Sequence, residues 1–290
     1  MSAEKANFSV AMMADELGVS RQGFYAWAAR QRVGPGRRAA SDAELIEQIK
    51  SIFKTHKGRY GSPRVHAELR RRGWHVGKNR VARLMVAAGL AGRCGRKPLP
   101  RTTIADPDAA PAPNLLARDF SPPAPDRTWV TDITYLRTEA GWCYLAAIID
   151  CYDRMVVGWA LDDHMRTSLC TEALDDALTR RRPGAQLVHH SDRGCQYTSI
   201  TYQQKLRGAL IDPSMSRKGN CWDNAVAESF WATLKRELTD GQNYKCKDDL
   251  GVAIFEYIEV YYNRQRLHSS LDYATPEEYH NAYAERLTAA

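Results

Sequence analysis

The chain has 290 residues, enough for one or two domains with a sizeable buried core, and its 44% hydrophobic and 26% charged content is ordinary for a globular protein. No run approaches the ~18 consecutive apolar residues of a membrane helix, and the polar start MSAEKANFS lacks a signal-peptide apolar region, so a cytoplasmic protein with no membrane partner is expected. The net charge of +7 hides a division: residues 1–101 hold 21 of the 41 Lys+Arg and 7 of the 34 Asp+Glu, which leaves 20 against 27 for the other 189. A basic front joined to an acidic remainder suits a nucleic-acid-binding region attached to a metal-requiring catalytic one. A solvated basic surface would give the same counts, so the pattern within the segment has to decide. The seven cysteines are scattered with no CxxC pair, as expected of reduced thiols, and His189, His190, Cys195 and Cys221 match no structural zinc spacing.

Residues 9–30 carry apolar Met12, Met13, Leu17 and Val19, then Phe24, Tyr25 and Trp27, with Gly18 at the turn and Ser20 placed to cap a second helix. This pattern predicts a small helix-turn-helix. After GPGRR three more helices are predicted. The first runs from about Asp42 to His56 with Leu45, Ile46, Ile49, Ile52 and Phe53 on one stripe. The second starts at Ser62-Pro63 as N-cap and first helical residue and runs to Gly73, and the third spans about Lys78 to Ala88, burying Val81, Leu84 and Met85. Its outward Lys78, Arg80 and Arg83, with Arg64 and Arg21 before them, are candidate phosphate contacts. Two adjacent helical units of the same sign favour DNA binding over a merely solvated surface.

Residues 93–127 hold eight of the thirteen prolines and few apolar anchors, which predicts an extended linker. From there the period becomes that of strands. WVTDITYLRT alternates, with Val130, Asp132, Thr134 and Leu136 on one face, and after a turn at 139–141 the nearly apolar WCYLAAIID reads as a central strand. RMVVGWALD completes a meander. A helix at about 168–181, the strand QLVHHS, a helix at about 199–207, a brief strand near Leu210-Ile211 and a helix bearing Glu228 follow. That order matches a ribonuclease-H-like core: an α/β unit with a mixed five-stranded sheet and helices on both faces, preceded by an all-α helix-turn-helix region. The expected divisions are 1–36, a helix-turn-helix; 37–92, a basic three-helix unit; 93–127, the linker; 128–245, the core; and 246–290, a helical extension. In that extension Leu250, Ile254, Phe255, Ile258 and Tyr262 define one apolar stripe, and Thr275 and Glu278 a capping box.

Such a core would bring three separated acids together: Asp132 on the first strand, Asp192 just after the fourth, and Glu228 on its helix, with Asn224, Trp231 and Lys235 on the same helical face. Three carboxylates in one pocket repel one another, and hard divalent cations relieve that repulsion. Two such ions can activate the attacking oxygen and stabilise the departing one in phosphodiester displacement. The motifs WVTDITY, HSDRGCQYTS, SMSRKGNCWDNAVAESFWATLKRE and YYNRQRLHSSLDYATPEEY resemble, in order and distance, those of insertion-sequence transposases with a retroviral-integrase-like core. More narrowly they resemble the OrfB product of the insertion sequence 3 family, and the likeness extends to YGSPRVHAELRRRGW before the linker.

The resemblance implies Asp132, Asp192 and Glu228 as catalytic metal ligands for two magnesium ions, with manganese able to substitute, and Lys235 near the DNA end. It implies nicking of one element end, whose 3′-hydroxyl then attacks another, with no covalent protein–DNA intermediate. Arg193, Tyr197, Arg217, Lys218, Asn220 and Asn224 are further candidates for holding DNA, with Asn263, Arg264, Arg266 and His268 more weakly so. The expected partners are element ends and target DNA, further copies of the chain, and an OrfA protein or OrfAB fusion. The fusion would supply a leucine zipper, and this chain has no sustained heptad repeat. Two other readings stand beside this one: a DNA-binding regulator without catalysis, and a ribonuclease-H-like nuclease.

Overall fold

The computed structural model describes residues 1, 3–4, 7–33, 37–93, 112–116, 120–184, 186–217 and 224–289, with backbone alone at 30–33 and 37–39. The chain divides into two compact units, Met1–Arg93 and Cys94–Ala290.

The first unit is all helical. Helices α1 (Val10–Glu16) and α2 (Arg21–Val33) join through Gly18, whose φ of +62° is open to glycine at no steric cost. Ser9 and Ser20 accept hydrogen bonds from the backbone N–H groups of Met12 and Gly23 at 3.2 and 2.9 Å, satisfying helix-start donors. Most of the apolar residues noted here lie outside. Val10, Ala14 and Phe24 are buried, but Met12, Leu17, Val19, Tyr25 and Trp27 are exposed. The cause is length: a seven-residue helix presents only one strip, here the i, i+4 pair Val10 and Ala14, and Met12 lies on its far side.

Helices α3 (Arg37–Thr55), α4 (Ser62–Arg71) and α5 (Lys78–Ala87) enclose Leu45, Ile49, Ile52, Val65, Leu69, Val81, Leu84 and Met85, all buried. The N-cap of α4 is Gly61, so Ser62 and Pro63 are helical rather than cap and first residue. Proline costs nothing there because N–H groups of the first turn have no helical acceptor.

The second unit is a five-stranded mixed sheet. Strands β1 (Thr128–Thr138), β2 (Gly141–Asp150) and β3 (Val156–Asp162) form an antiparallel meander. Helix α6 (Thr167–Arg181) crosses to β4 (Val188–Ser191), and α7 (Cys195–Thr198) with α8 (Ile200–Gly208) leads to β5 (Asp212–Met215). The order is β3-β2-β1-β4-β5, with β4 parallel to both its neighbours. Strand β5 begins two residues later than the expected Leu210-Ile211, because Leu210 is exposed with φ +57° and turns the chain out of α8. Within the predicted linker, 94–111 and 117–119 lie outside the described residues, but 112–116 does more than span distance. Met215 N donates to Pro113 O at 3.2 Å, Leu115 N to Ser214 Oγ at 2.9 Å, and Leu116 is buried.

One face of the sheet, with Trp129, Ala146 and Ile148, packs on α6, α7 and α8 in the main core. Close approach is built in at Gly158 of β3, where a Cβ would stand 2.3 Å from Ala173 O and 2.7 Å from Ala177 Cβ. The other face carries Leu145, Ala147, Trp159 and Leu161. It meets α10 (Lys247–Phe255) and the π-helical turns Glu256–Tyr262 that continue it, Trp159 Nε1 donating to Glu259 at 2.7 Å. Tyr257 and Tyr261 of the π-turns are buried, whereas Phe255, expected inside, is the last residue of α10, one position round the helix from buried Ile254, and is 53% exposed.

The tail residues weighed as DNA contacts belong largely to the interior. Asn263 brackets Val156 of β3 with two 3.0 Å hydrogen bonds, and Arg266 forks onto buried Glu237 at 2.9 Å. His268 is also buried, whereas Arg264 is exposed and pairs with Glu277 at 3.4 Å. Helix α11 (Pro276–Thr288) starts at the expected capping box.

Candidate active site

The position of two of the three acids follows from strand register. In the parallel β1–β4 pair Val130 faces His190, so two residues further along, Asp132 and Asp192 stand level and leave their strands on the same side. Strand β4 ends at Ser191, and beyond it the edge of β1 has no strand neighbour among the described residues. Helix α9 (Ala225–Leu234) lies against β1 there, and two hydrogen bonds hold it. Asn224 Nδ2 donates to Thr131 O at 3.1 Å, and Trp231 Nε1 donates to Asp132 Oδ2 at 3.0 Å. Glu228 lies one turn from each of these contacts, on the same face, and so stands beside Asp132. Lys235 continues that face where α9 gives way to a π-turn, Lys235–Thr239.

The electrostatics agree with this assembly. Loss of water, followed by the charges of Asp192 and Glu228, pushes half-buried Asp132 up to about 7, against the opposing bonds from Ile133 N–H and Trp231. Desolvation also raises Glu228, which is exposed on its helix. Lys235 is half-buried, and desolvation lowers it against the pull of Asp132 and Asp240. The Asp192 carboxylate accepts the Gly194 N–H at 2.9 Å, which fixes one of its oxygens. A donor set of oxygens alone, in which the charges of Asp192 and Glu228 raise the proton affinity of Asp132, fits a hard divalent cation.

The structure distributes the other candidates differently. Tyr197 is 1% exposed, with its hydroxyl 3.3 Å from Thr131 Oγ1, so it supports β1 from within the core and presents no surface to DNA. Asn224 is buried and its amide nitrogen is spent on β1; its Oδ1 has no hydrogen-bond partner among the described residues. Arg193 is half-buried and donates to Ser216 O at 2.8 Å. Arg217 is exposed, and Lys218 and Asn220 lie outside the described residues.

In the first unit Arg80 and Arg83, expected to face solvent for phosphate, both bind Asp42 of α3, at 2.6 and 2.8 Å. Arg64 stacks its guanidinium 5.8 Å from the centre of the Tyr60 ring. Lys78 and Arg21 are exposed.

His189 and His190 hydrogen-bond inside the fold, to Tyr202 and to Ser214 and Ser216 respectively. The five described cysteines are free thiols. Sequence reasoning missed the service of Trp231 as a donor to Asp132, although its helical spacing from Glu228 was the available signal.

Comparison with known proteins gives consistent findings. Residues 122–221 and 209–276 match integrase core domain families, and residues 40–98 match an HTH-like domain family. The chain is 42% identical to the insertion element IS600 uncharacterized 31 kDa protein of Shigella sonnei, over 93% of this chain and 98% of that one. It is 37% identical to the transposase InsF for insertion sequence IS3A of Escherichia coli, over 96% of each. It is 38% identical to the transposase for insertion sequence element IS904 of Lactococcus lactis, over 84% of this chain and 96% of that one. Among solved structures, a chain of a simian T-cell lymphotropic virus intasome superposes with a TM-score of 0.47 at 14% identity, over 80% of this chain and 74% of that one. The HTLV-2 integrase catalytic core domain in complex with magnesium superposes at 0.42 with 15% identity, over 55% and 98%.

Proposed function

The chain belongs to the transposases of the insertion sequence 3 family, and from that premise we propose that Asp132, Asp192 and Glu228 form the site at which it nicks element ends and transfers them to new DNA. The observation that carries this reading is geometric. Two carboxylates are matched in register on parallel strands, and a helix tied to the same strand on either side of Glu228 brings the third.

These residues would hold two magnesium ions, or manganese in their place. When bound, the ions would polarise the scissile phosphate and favour the oxyanion forms of the attacking and leaving groups. The chain's own residues do the positioning. Trp231 fixes one oxygen of Asp132 and the Gly194 N–H one oxygen of Asp192, which limits how each carboxylate can turn. Lys235 supplies a positive charge one helical stretch beyond Glu228, suited to a phosphate beside the scissile one.

In the first step water forms a bond to phosphorus as the bond to the 3′ oxygen breaks. In the second that 3′-hydroxyl attacks a new phosphodiester, so one P–O bond is made for each one broken. Neither step needs a Ser or Tyr nucleophile. Element ends and target DNA are the substrates, and further copies of the chain with an OrfA or OrfAB product would complete the assembly.

The test is a magnesium-dependent nicking and strand-transfer assay on labelled element-end DNA, comparing the wild type with Glu228→Gln. The variant should lose cleavage by at least about a thousandfold while keeping its DNA affinity. Wild-type turnover in the variant would remove Glu228 from the site. DNA binding without cleavage by either protein would point to a missing first-frame partner or to a regulator, and adding that partner separates the two.

A further inference from the structure

Beyond the acids, the β1–β2 hairpin carries two aromatic rings flanked by a cation at each end, one of them Lys235 from the π-turn after α9. Lys235 Nζ lies 4.6 Å from the centre of the Tyr135 ring. Tyr135 meets Trp142 edge to face, with centroids 5.3 Å apart and planes at 78°, and Arg137 lies 5.5 Å from the Trp142 ring centre. Trp142 is 48% exposed, the second residue of β2 and directly across the ladder from Arg137. The platform is held in place. Glu139 N and Ala140 N donate to Tyr244 O and Lys245 O at 2.9 and 3.1 Å, and Thr138 Oγ1 closes the turn onto Gly141 O at 2.9 Å. The fold gains little from leaving half an indole in water, whereas a rigid exposed ring flanked by cations is what stacking on a nucleobase requires.

We propose that Trp142, with Tyr135 and Arg137, is a stacking platform for an unpaired base of the DNA strand whose phosphate lies at the carboxylate site. This rests on the reading of Asp132, Asp192 and Glu228 as that site. Two features select an unpaired base over duplex. Strand alternation puts Tyr135 and Arg137 on the face of β1 opposite to Asp132, so a strand reaching both must bend round the open edge, which a duplex cannot follow. Lys235 bridges the two faces: Asp132 draws on its charge while its ammonium rests on Tyr135. The reach fixes the distance. At about 3.3 Å per residue, Tyr135 and Arg137 are roughly 10 and 17 Å along β1 from Asp132. That is about three to five nucleotide steps of 3.4 Å from the scissile phosphate.

The experiment measures binding by the full chain in EDTA to two probes, a blunt DNA duplex and the same duplex with a single-stranded overhang about five nucleotides long. The overhang carries 2-aminopurine, whose fluorescence falls when it stacks. The wild type should prefer the overhang about tenfold, and 2-aminopurine should be quenched. Trp142→Ala should abolish both effects and leave blunt-duplex affinity unchanged. Trp142→Phe should keep most of the preference, and Arg137→Ala should weaken it in part. Equal wild-type affinity for the two probes, or equal loss on both in Trp142→Ala, would overturn the platform. Because no chemistry occurs in EDTA, its failure is separable from that of the carboxylate site. Glu228→Gln should retain the overhang preference, and a chain that stacks the base but still never cuts once its first-frame partner is added would uphold the platform and refute the site.

Discussion

His189 sits in β4 three residues before Asp192, with its ring in the core and its Nε2 2.6 Å from the Tyr202 hydroxyl. Burial, with His190 beside it, holds its pKa down to about 3, so it stays neutral in the fold at any pH the protein would meet. Its value is depressed below the unfolded ~6.5, so as pH falls the unfolded chain takes up the proton first. Stability from this residue is therefore complete above about pH 6.5 and is lost from there down toward pH 3, at up to about 1.4 kcal/mol per unit. Urea unfolding at pH 7.5 and pH 5 should show the wild type losing about 2 kcal/mol more than His189→Gln over that interval. Equal losses would mean the ring is not sealed. From sequence alone the two histidines matched no zinc spacing, and in the fold both hydrogen-bond inside it. What the sequence could not give was the partner, because the distance from strand to α8 is a tertiary quantity. The same holds for Tyr197: its neighbour Asp192 drew it into the list of DNA contacts, and only packing shows it is behind the site.

At the level of elements, the helix with Glu228 is secured at both ends, and its second anchor is remote in sequence. Glu237, in the π-turn that extends α9, takes Arg266 on both carboxylate oxygens and the Tyr257 hydroxyl at 3.0 Å, all of them buried. Removing one member leaves a buried charge alone, so Arg266→Ala should destabilise the second unit by about 3–5 kcal/mol. Double replacement of Glu237 and Arg266 by Gln and Met should cost much less, and a thermal melt of both variants checks it. Between β3 and α6 the fit is steric. Gly158→Ala forces a methyl to within 2.3 Å of Ala173 O, so the helix must shift, at about 1–3 kcal/mol or more by urea titration. Alternation and caps made β1, β2, α6 and α11 legible to within a residue or two. The π-turns were not legible, since a 3.6-residue period assumes one register throughout.

For the whole molecule the division of charge remains the clearest sequence signal, because it needs no geometry. Its use does. Arg80 and Arg83 already neutralise Asp42, so their replacement would unsettle α3 and α5 as well as any DNA contact. The cleaner test is Arg21→Ala and Lys78→Ala, both exposed. Each should lower the slope of log affinity against log salt by about 1 if it touches a phosphate. Unchanged slopes would move the DNA surface elsewhere. The order of elements was enough to read the integrase-like core, because a five-strand topology whose fourth strand is parallel to both its neighbours leaves few arrangements, and it sets Asp132 beside the end of β4.

Arg266 lies far downstream of the last acid, and the order in which the chain is made gives that separation a meaning. At 5–20 residues per second, a ribosome needs on the order of ten seconds to pass from Asp132 to Arg266. Throughout that interval the basic front has already emerged, and the helix with Glu228, made late within it, still lacks its anchor. A message broken within that stretch would yield a chain that carries the basic front but lacks the Glu237–Arg266 anchor.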